Sequence, residues 1–228
     1  MDSITDNESR RRLERVRRFH SQLKTAKYPK ASLALGPPST TVVNMDKPWY
    51  RRAFSHSPTP DLDTARAKAD GGDPEAQFGL GLKYSSGPAG AEDYPQAALW
   101  YRKAADQSHA LAQFNLAVMY SKGQGMPQDN AQALHWFGKA ARLGDAAAQF
   151  HLGMNQHRAS FRGIPNEASE SRIEAYKWFQ LAAAQGYKGS ATAGETMSLS
   201  MTREEVAVGD RRAASWVAEK NICIPAAI

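Results

Sequence analysis

Residues 73–108 read DPEAQFGLGLKYSSGPAGAEDYPQAALWYRKAADQS, and residues 109–144 read HALAQFNLAVMYSKGQGMPQDNAQALHWFGKAARLG. Aligned without a gap, the two segments are identical at 14 of 36 positions. The identities include the runs Ala76-Gln77-Phe78 and Ala112-Gln113-Phe114 near the start of each segment. Self-similarity at a fixed period of this length indicates a repeat architecture.

A third, longer copy follows over residues 145–186. It begins with Ala148-Gln149-Phe150 and ends with Lys177-Trp178-Phe179. It has 42 residues, and the six extra residues fall between about Gln156 and Arg172. We interpret this insertion as a long linker that interrupts the symmetry of the repeats.

Each copy is predicted to be a helix, a glycine-rich turn and a second helix. Residues 76–84 alternate between apolar and polar types, which on its own is typical of a strand. Residues 97–105 have the helical spacing of apolar residues and are rich in alanine, which favours a helix. A period of 36 with one clear helix and a Gly-Pro turn favours a helical hairpin. The small residues at one shared position, Gly81, Ala117 and Gly153, predict a close approach of two helix backbones.

The pattern Ala-x-x-x-Leu-Gly-x-x-Tyr-x-x-Gly, followed by Asp, Ala and Trp-Tyr-x-Lys-Ala-Ala, resembles the Sel1-like repeat, a relative of the tetratricopeptide repeat. The strong resemblance covers residues 73–186, and it departs from the pattern at Gln156, where the family has tyrosine. It implies an all-α fold, an α-solenoid of stacked helical hairpins, because one hairpin cannot bury its apolar face alone. It also implies a protein-interaction scaffold or adaptor and not an enzyme.

Three domains are predicted. Residues 1–60 form a basic N-terminal helix and a Pro- and Ser-rich linker, residues 61–222 form the repeat domain, and residues 223–228 form a C-terminal tail. The repeats span about 73–108, 109–144 and 145–186, and capping helices follow at 187–200 and 202–220. Asp63–Asp70 resembles the end of a second helix and fits the start of the array. Thr202 and Glu205 have the spacing of a capping box.

The positive charge of the chain lies in the N-terminal segment. Residues 1–60 contain 12 Lys and Arg against 5 Asp and Glu, and the rest of the chain is close to neutral. Residues 10–27 fit a helix with an apolar stripe and an arginine face. We favour a solvated, partly disordered extension; the alternatives are contact with an acidic partner, nucleic acid or an anionic membrane through residues 10–30. The cluster Trp49–Phe54 is either a docking segment or packs on the first hairpin.

Several classes of function have no support in the sequence. No apolar run is long enough for a transmembrane segment, and no secretory signal is visible, which favours a cytoplasmic location. The single cysteine, Cys223, offers no disulfide and no metal-ligand pair. His151 and His157 are six residues apart, which does not suit metal ligands on one helix face. We therefore predict no cofactor, no metal site and no catalytic residue.

The family resemblance places the first helix of each repeat on the inner surface of a curved array. We predict that a protein or peptide partner binds there, with a nucleic-acid- or ribosome-associated factor as the alternative function. The phenylalanine column is equally suited to the core. The inserted linker, residues 157–167, is a second candidate contact surface because long loops often carry function. The predicted partner-binding residues are Phe78, Leu82, Phe114, Asn115, Val118, Phe150, His151, Met154, Asn155, His157, Arg158 and Arg162.

Overall fold

A computed structural model describes residues 2–25, 62–86, 92–161 and 165–222. Within these ranges the chain forms ten α-helices and no β-strand. In chain order the helices are α1 (Asp2–Thr25), α2 (Leu62–Asp70), α3 (Pro74–Ser85), α4 (Tyr94–Asp106), α5 (Ala110–Lys122), α6 (Asn130–Arg142), α7 (Ala146–Ala159), α8 (Pro165–Ala184), α9 (Ser190–Leu199) and α10 (Arg203–Ile222).

The helices from α2 to α9 pack in sequence order, which makes this part of the chain an α-solenoid. α3 pairs with α4, α5 with α6 and α7 with α8. Each pair packs on the next, through α4 with α5 and α6 with α7, and α2 covers α3 at the N-terminal end. The alternating residues 76–84 belong to a helix that is buried on most of its circumference, which explains their strand-like pattern.

The turns between repeats are built alike. Asp73, His109 and Asp145 each accept a hydrogen bond from a backbone N–H group in the first turn of α3, α5 and α7, which stabilises the helix start. The turn before α7 contains Gly144 with a φ of 96°, a left-handed conformation that glycine adopts without steric cost. The equivalent residue before α5 is Ser108, which has a φ of 65°.

A buried glutamine joins each repeat to the helix that precedes it. The side-chain Nε2 of this residue donates to a backbone carbonyl eight residues earlier, in the last turn of the preceding helix, at 2.9–3.3 Å. The three pairs are Gln77 with Ala69, Gln113 with Ala105, and Gln149 with Ala141. The Gln of the repeated Ala-Gln-Phe run is therefore a joint between repeats.

The close helix approach predicted from the small residues is confirmed. A Cβ added to Gly81 would lie 2.5 Å from the ring of Tyr101, and one added to Gly153 would lie 2.7 Å from the ring of Phe179. The two aromatic rings occupy equivalent positions in α4 and α8, and both are buried. The first helix of each pair therefore presents bare backbone to an aromatic side chain of the second helix in both repeats.

The C-terminal end departs from the hairpin pattern. α9 packs on α8, but α10 also packs on α8, and α9 and α10 make almost no contact with each other. The predicted capping box starts α10, because the N–H of Thr202 donates to Glu205 Oε2 at 2.8 Å and the N–H of Glu205 donates to Thr202 Oγ1 at 3.2 Å. Arg212 of α10 binds Glu170 and Glu174 of α8.

The inserted residues are mostly helical. α7 continues to Ala159 and α8 begins at Pro165, so the extra length extends both helices. The prediction of a long linker between Gln156 and Arg172 is wrong in this respect, because only residues 160–164 lie between the two helices. The added N-terminal turns of α8 carry Ser169 and Glu170, which contact α10: Ser169 Oγ donates to Glu205 Oε1 at 2.5 Å, and Glu170 accepts from Arg212.

Residues 2–25 differ from the solvated extension favoured by the sequence. They form α1, which packs on α8, α9 and α10. Val16 and Leu23, on the predicted apolar stripe, are 1% and 4% exposed. The remainder of the N-terminal segment, with Trp49–Phe54, and the tail with Cys223 lie outside the described residues.

Candidate functional site

The predicted phenylalanine column contributes mainly to packing. Phe78 is completely buried, with its ring 5.9 Å from Tyr101 and stacked at 4.6 Å on His109. Phe114 and Phe150 are half-buried and contact aromatic rings of the outer helices, at 5.6 Å to Phe137 and to Phe179 respectively. The core interpretation of this column therefore describes Phe78 best.

The second predicted column becomes more exposed towards the third repeat. Leu82 is buried, Val118 is half-buried and Met154 is 37% exposed. Asn115 is buried too, and its Nδ2 has no hydrogen-bond partner among the described residues. Of the predicted contact residues, those that reach the surface therefore lie mostly on α7.

One face of α7 lines a groove of about 940 Å³, which we call the polar groove. His151, Asn155 and Arg158 share this face because residues three and four apart are neighbours on a helix. The opposite wall is made by α5, α6 and the start of α8. The lining residues are Ser121, Gln128, Asn130, Ala133, Leu134, Phe137, His151, Asn155, Arg158, Ala159, Glu167 and Ser171.

His151 is an exposed residue, yet one face of its ring lies flat on Phe137, with centroids 4.7 Å apart and an interplanar angle of 4°. Desolvation lowers the pKa of His151, and the positive charges of Lys122 and Arg158 lower it further. The imidazole is therefore neutral at pH 7. A neutral ring offers one donor and one acceptor to a bound chain.

The neighbouring face of α7 lines a second groove of about 740 Å³, which we call the apolar groove. Its other walls are α8 and α9. Phe161 is 76% exposed at its edge, and its ring meets His157 edge-on at 5.0 Å. The lining residues are Met154, His157, Ser160, Phe161, Arg172, Phe179, Gly189, Thr192, Ala193, Thr196, Met197 and Ser200.

The structure thus brings five of the twelve predicted residues to two grooves on neighbouring faces of α7, namely His151, Met154, Asn155, His157 and Arg158. Arg158 lies in the polar groove, whereas Arg162 lies outside the described residues. Phe161 was missed by the sequence reasoning because it falls within the insertion and has no counterpart in the other repeats. A large aromatic residue within an otherwise polar insertion was the available signal.

The described residues contain neither a metal-binding cluster nor a membrane-spanning helix. No group of three or more His, Cys, Asp or Glu in the described part of the chain is arranged to hold a metal ion. No helix in the same part of the chain combines the length and the hydropathy that crossing a membrane requires.

Comparison with known proteins is consistent with this architecture. The sequence model of the Sel1 repeat matches residues 74–109, 110–145 and 146–187, which together make up half of the chain. No curated protein matches the chain. Sixteen chains of solved structures are similar to it, and two of them are described below.

The crystal structure of a Sel1 repeat protein from Oxalobacter formigenes is 34% identical, with a TM-score of 0.49, over 58% of this chain and 95% of that one. The crystal structure of c5321, a protective antigen of uropathogenic Escherichia coli strains that displays an SLR fold, is 33% identical, with a TM-score of 0.51. That match covers 71% of this chain and 33% of the antigen chain, so this chain spans about a third of the antigen's length.

Proposed function

Because this chain belongs to the Sel1 repeat family, whose repeats are generally protein-interaction modules, we propose that it is a non-enzymatic adaptor that binds a segment of a partner protein across α7. The observation that carries the proposal is the pair of grooves that α7 separates. A single extended or helical segment of the partner can reach both, because Asn155 of the polar groove and Met154 of the apolar groove are adjacent residues of α7.

The apolar groove supplies the anchor for such a segment. Phe161 and Met154 expose apolar surface on α7 and just beyond it, and Met197 lies at the groove wall on α9. Methionine side chains adapt their shape to different ligands, and aromatic residues often dominate the energy of interfaces. We expect a large apolar side chain of the partner in this groove.

The polar groove fixes the orientation of the partner segment through hydrogen bonds and charge. Asn155 and neutral His151 can pair with backbone or side-chain polar groups, and Arg158 can pair with a carboxylate. Lys122 lies close enough to His151 for its charge to lower the histidine pKa, which makes this end of the groove positive. The preferred segment therefore has an acidic residue near its apolar anchor.

The test begins with random peptides selected for binding to the wild-type protein by phage display. The affinity of a selected peptide is then measured against Phe161→Ala and Arg158→Glu. Matched controls are Leu99→Ala, which removes an exposed apolar side chain of α4, and Arg142→Glu, which reverses an exposed charge at the end of α6.

We expect the two groove variants to bind at least tenfold more weakly, and the two controls to bind like the wild type. If every selected peptide binds both groove variants with wild-type affinity, the peptide site is not across α7 and the proposal is wrong.

A further inference from the structure

The interface of α1 with the rest of the chain is a narrow apolar stripe. Val16 and Leu23 are buried, and Leu13 and Phe19, one turn from Val16 on either side, are half-buried. By contrast, α5 has six buried residues among its 13. Among the described side chains of α1, at residues 10, 11, 13–19 and 21–23, the apolar contact with the rest of the chain is confined to this stripe.

The stripe of α1 contacts three helices at once. Val16 belongs to a buried cluster with Ile173 of α8, Met197 of α9 and Val206 of α10. Leu23 belongs to another with Leu181 of α8 and Val217 of α10. α9 and α10 make almost no contact with each other, unlike the two helices of each earlier pair. The last two helices therefore leave a groove, and α1 fills it.

One polar contact fixes the side of α1 that faces α9. The guanidinium of Arg17 donates to both carboxylate oxygens of Glu195, at 2.9 Å and 3.3 Å. Arg11, Arg15 and Arg18 are exposed. The groove therefore accepts an amphipathic helix whose apolar stripe is flanked by a cation opposite Glu195.

A long stretch of chain connects α1 to the array. Thirty-six residues, 26–61, separate it from α2, and a chain of that length reaches at most about 120 Å. A helix tethered by so many residues can leave and rebind without breaking the connection. Its effective concentration at the groove is on the order of millimolar, and a free helix that binds the groove must compete with α1 at this concentration.

We propose that the groove between α8, α9 and α10 is a receptor site for a basic amphipathic helix, and that α1 occupies it as an exchangeable, autoinhibitory segment. A partner helix with the same stripe and a matching cation would displace α1. This site adjoins the apolar groove, since Met197 borders both, but it does not depend on the function proposed for the two grooves beside α7.

The test uses the full chain with a protease site inserted within residues 30–45, so that the protein folds intact and is cut afterwards. A fluorescent peptide of residues 2–25 is titrated, at submicromolar protein, against the uncut and the cut protein. We expect the cut protein to bind roughly 100-fold more tightly, because cutting converts the tethered competitor into a dilute one.

Charge reversal identifies the binding mode. A peptide with Arg17→Glu should bind the cut wild-type protein at least fivefold more weakly than the unchanged peptide does. The same peptide should regain that affinity for a cut protein that carries Glu195→Arg. An Arg18→Glu peptide makes the same charge change at an exposed position and should bind like the unchanged peptide.

Equal binding to the cut and the uncut protein would overturn the proposal. Release of the N-terminal fragment with loss of the helical circular dichroism of residues 62–222 would overturn it too, because α1 would then be an integral part of the fold. Identical effects of the two charge reversals would show that the peptide binds elsewhere.

Discussion

Leu143 occupies a position where the other repeats have a hydrogen-bonding glutamine. In the first repeat, Nε2 of Gln107 donates to Oε1 of Gln77 at 2.8 Å. In the third, Nε2 of Gln185 donates to Oε1 of Gln149 at 2.9 Å. Residue 143 is the equivalent of both donors. We predict that Leu143→Gln stabilises the protein by completing the second joint.

The structure indicates the size of the effect. Gln113 is 3% exposed, and its Oε1 has no hydrogen-bond partner among the described residues. Leu143 has a φ of −80° and a ψ of −2°, close to the −87° and 17° of Gln107, so the same side-chain direction is available. A new intramolecular hydrogen bond contributes about 1 kcal/mol, and pairing a buried acceptor removes a desolvation penalty of similar size.

Leu143 is already 39% exposed, so its replacement loses only part of a buried side chain. We expect a net gain of about 1 kcal/mol in the free energy of unfolding, which corresponds to an increase of about 2–4 °C in Tm. The assay is urea unfolding followed by circular dichroism, together with a thermal scan.

Leu143→Asn is the matched control, because it carries the same amide on a side chain one methylene shorter. A Leu143→Gln protein no more stable than Leu143→Asn would refute the reasoning. The reverse change, Gln185→Leu, should cost about 1–3 kcal/mol, because it leaves the buried Oε1 of Gln149 without its donor.

Three further changes test other parts of the fold. Ser108→Gly should raise the free energy of unfolding by about 0.5–1 kcal/mol in the same urea assay, because glycine accepts the φ of 65° without strain; an unchanged midpoint would contradict this. Gly153→Val should cost about 1–3 kcal/mol, because its Cβ would meet the ring of Phe179 at 2.7 Å, and a stability equal to that of the wild type would show that the ring moves freely. Burial raises the pKa of Asp210 to about 6, although a hydrogen bond from Tyr176 and the charge of Arg15 oppose the shift. The folded state therefore binds this proton more tightly than the unfolded state does. As a result, the free energy of unfolding falls as the pH rises from about 4 to about 6. Asp210→Asn keeps the acceptor and should remove this loss, on the order of 1–3 kcal/mol at pH 7, which unfolding curves of both proteins between pH 4 and 7 would measure.

The helical pairs were predictable because the same residue pattern occurs in three copies, so that each copy supports the interpretation of the others. The strand-like alternation of residues 76–84 is ambiguous alone, but a hairpin that stacks on copies of itself buries both faces of its first helix. The small residue at position 81 and its equivalents predicted a close approach, and the buried rings that fill it are Tyr101 and Phe179.

The contact surface was less predictable, because burial changes along the array while the sequence repeats. Leu82 and Met154 are equivalent in sequence, yet one is buried and the other is 37% exposed. The insertion was interpreted as a linker because sequence length does not distinguish a longer loop from a longer helix. Phe161 was missed for the same reason.

The docking of α1 could not be inferred from its own residues. Its stripe of Leu13, Val16, Phe19 and Leu23 is equally compatible with a solvated helix, and the surface that buries it lies roughly 160 to 190 residues away in sequence. Only the three-dimensional arrangement of α8, α9 and α10 shows that a groove exists there.

The crossing of α10 over α8 determines how a longer version of this protein can arise. An additional hairpin at the C-terminal end would compete with α1 and α10 for the faces of α8 and α9 on which they pack. Tandem duplication of a 36-residue segment between residues 74 and 145, in contrast, recreates the glutamine joints and the contacts between the two helices of each pair. Such a duplication would lengthen the array and leave the two grooves beside α7 and the groove that holds α1 unchanged.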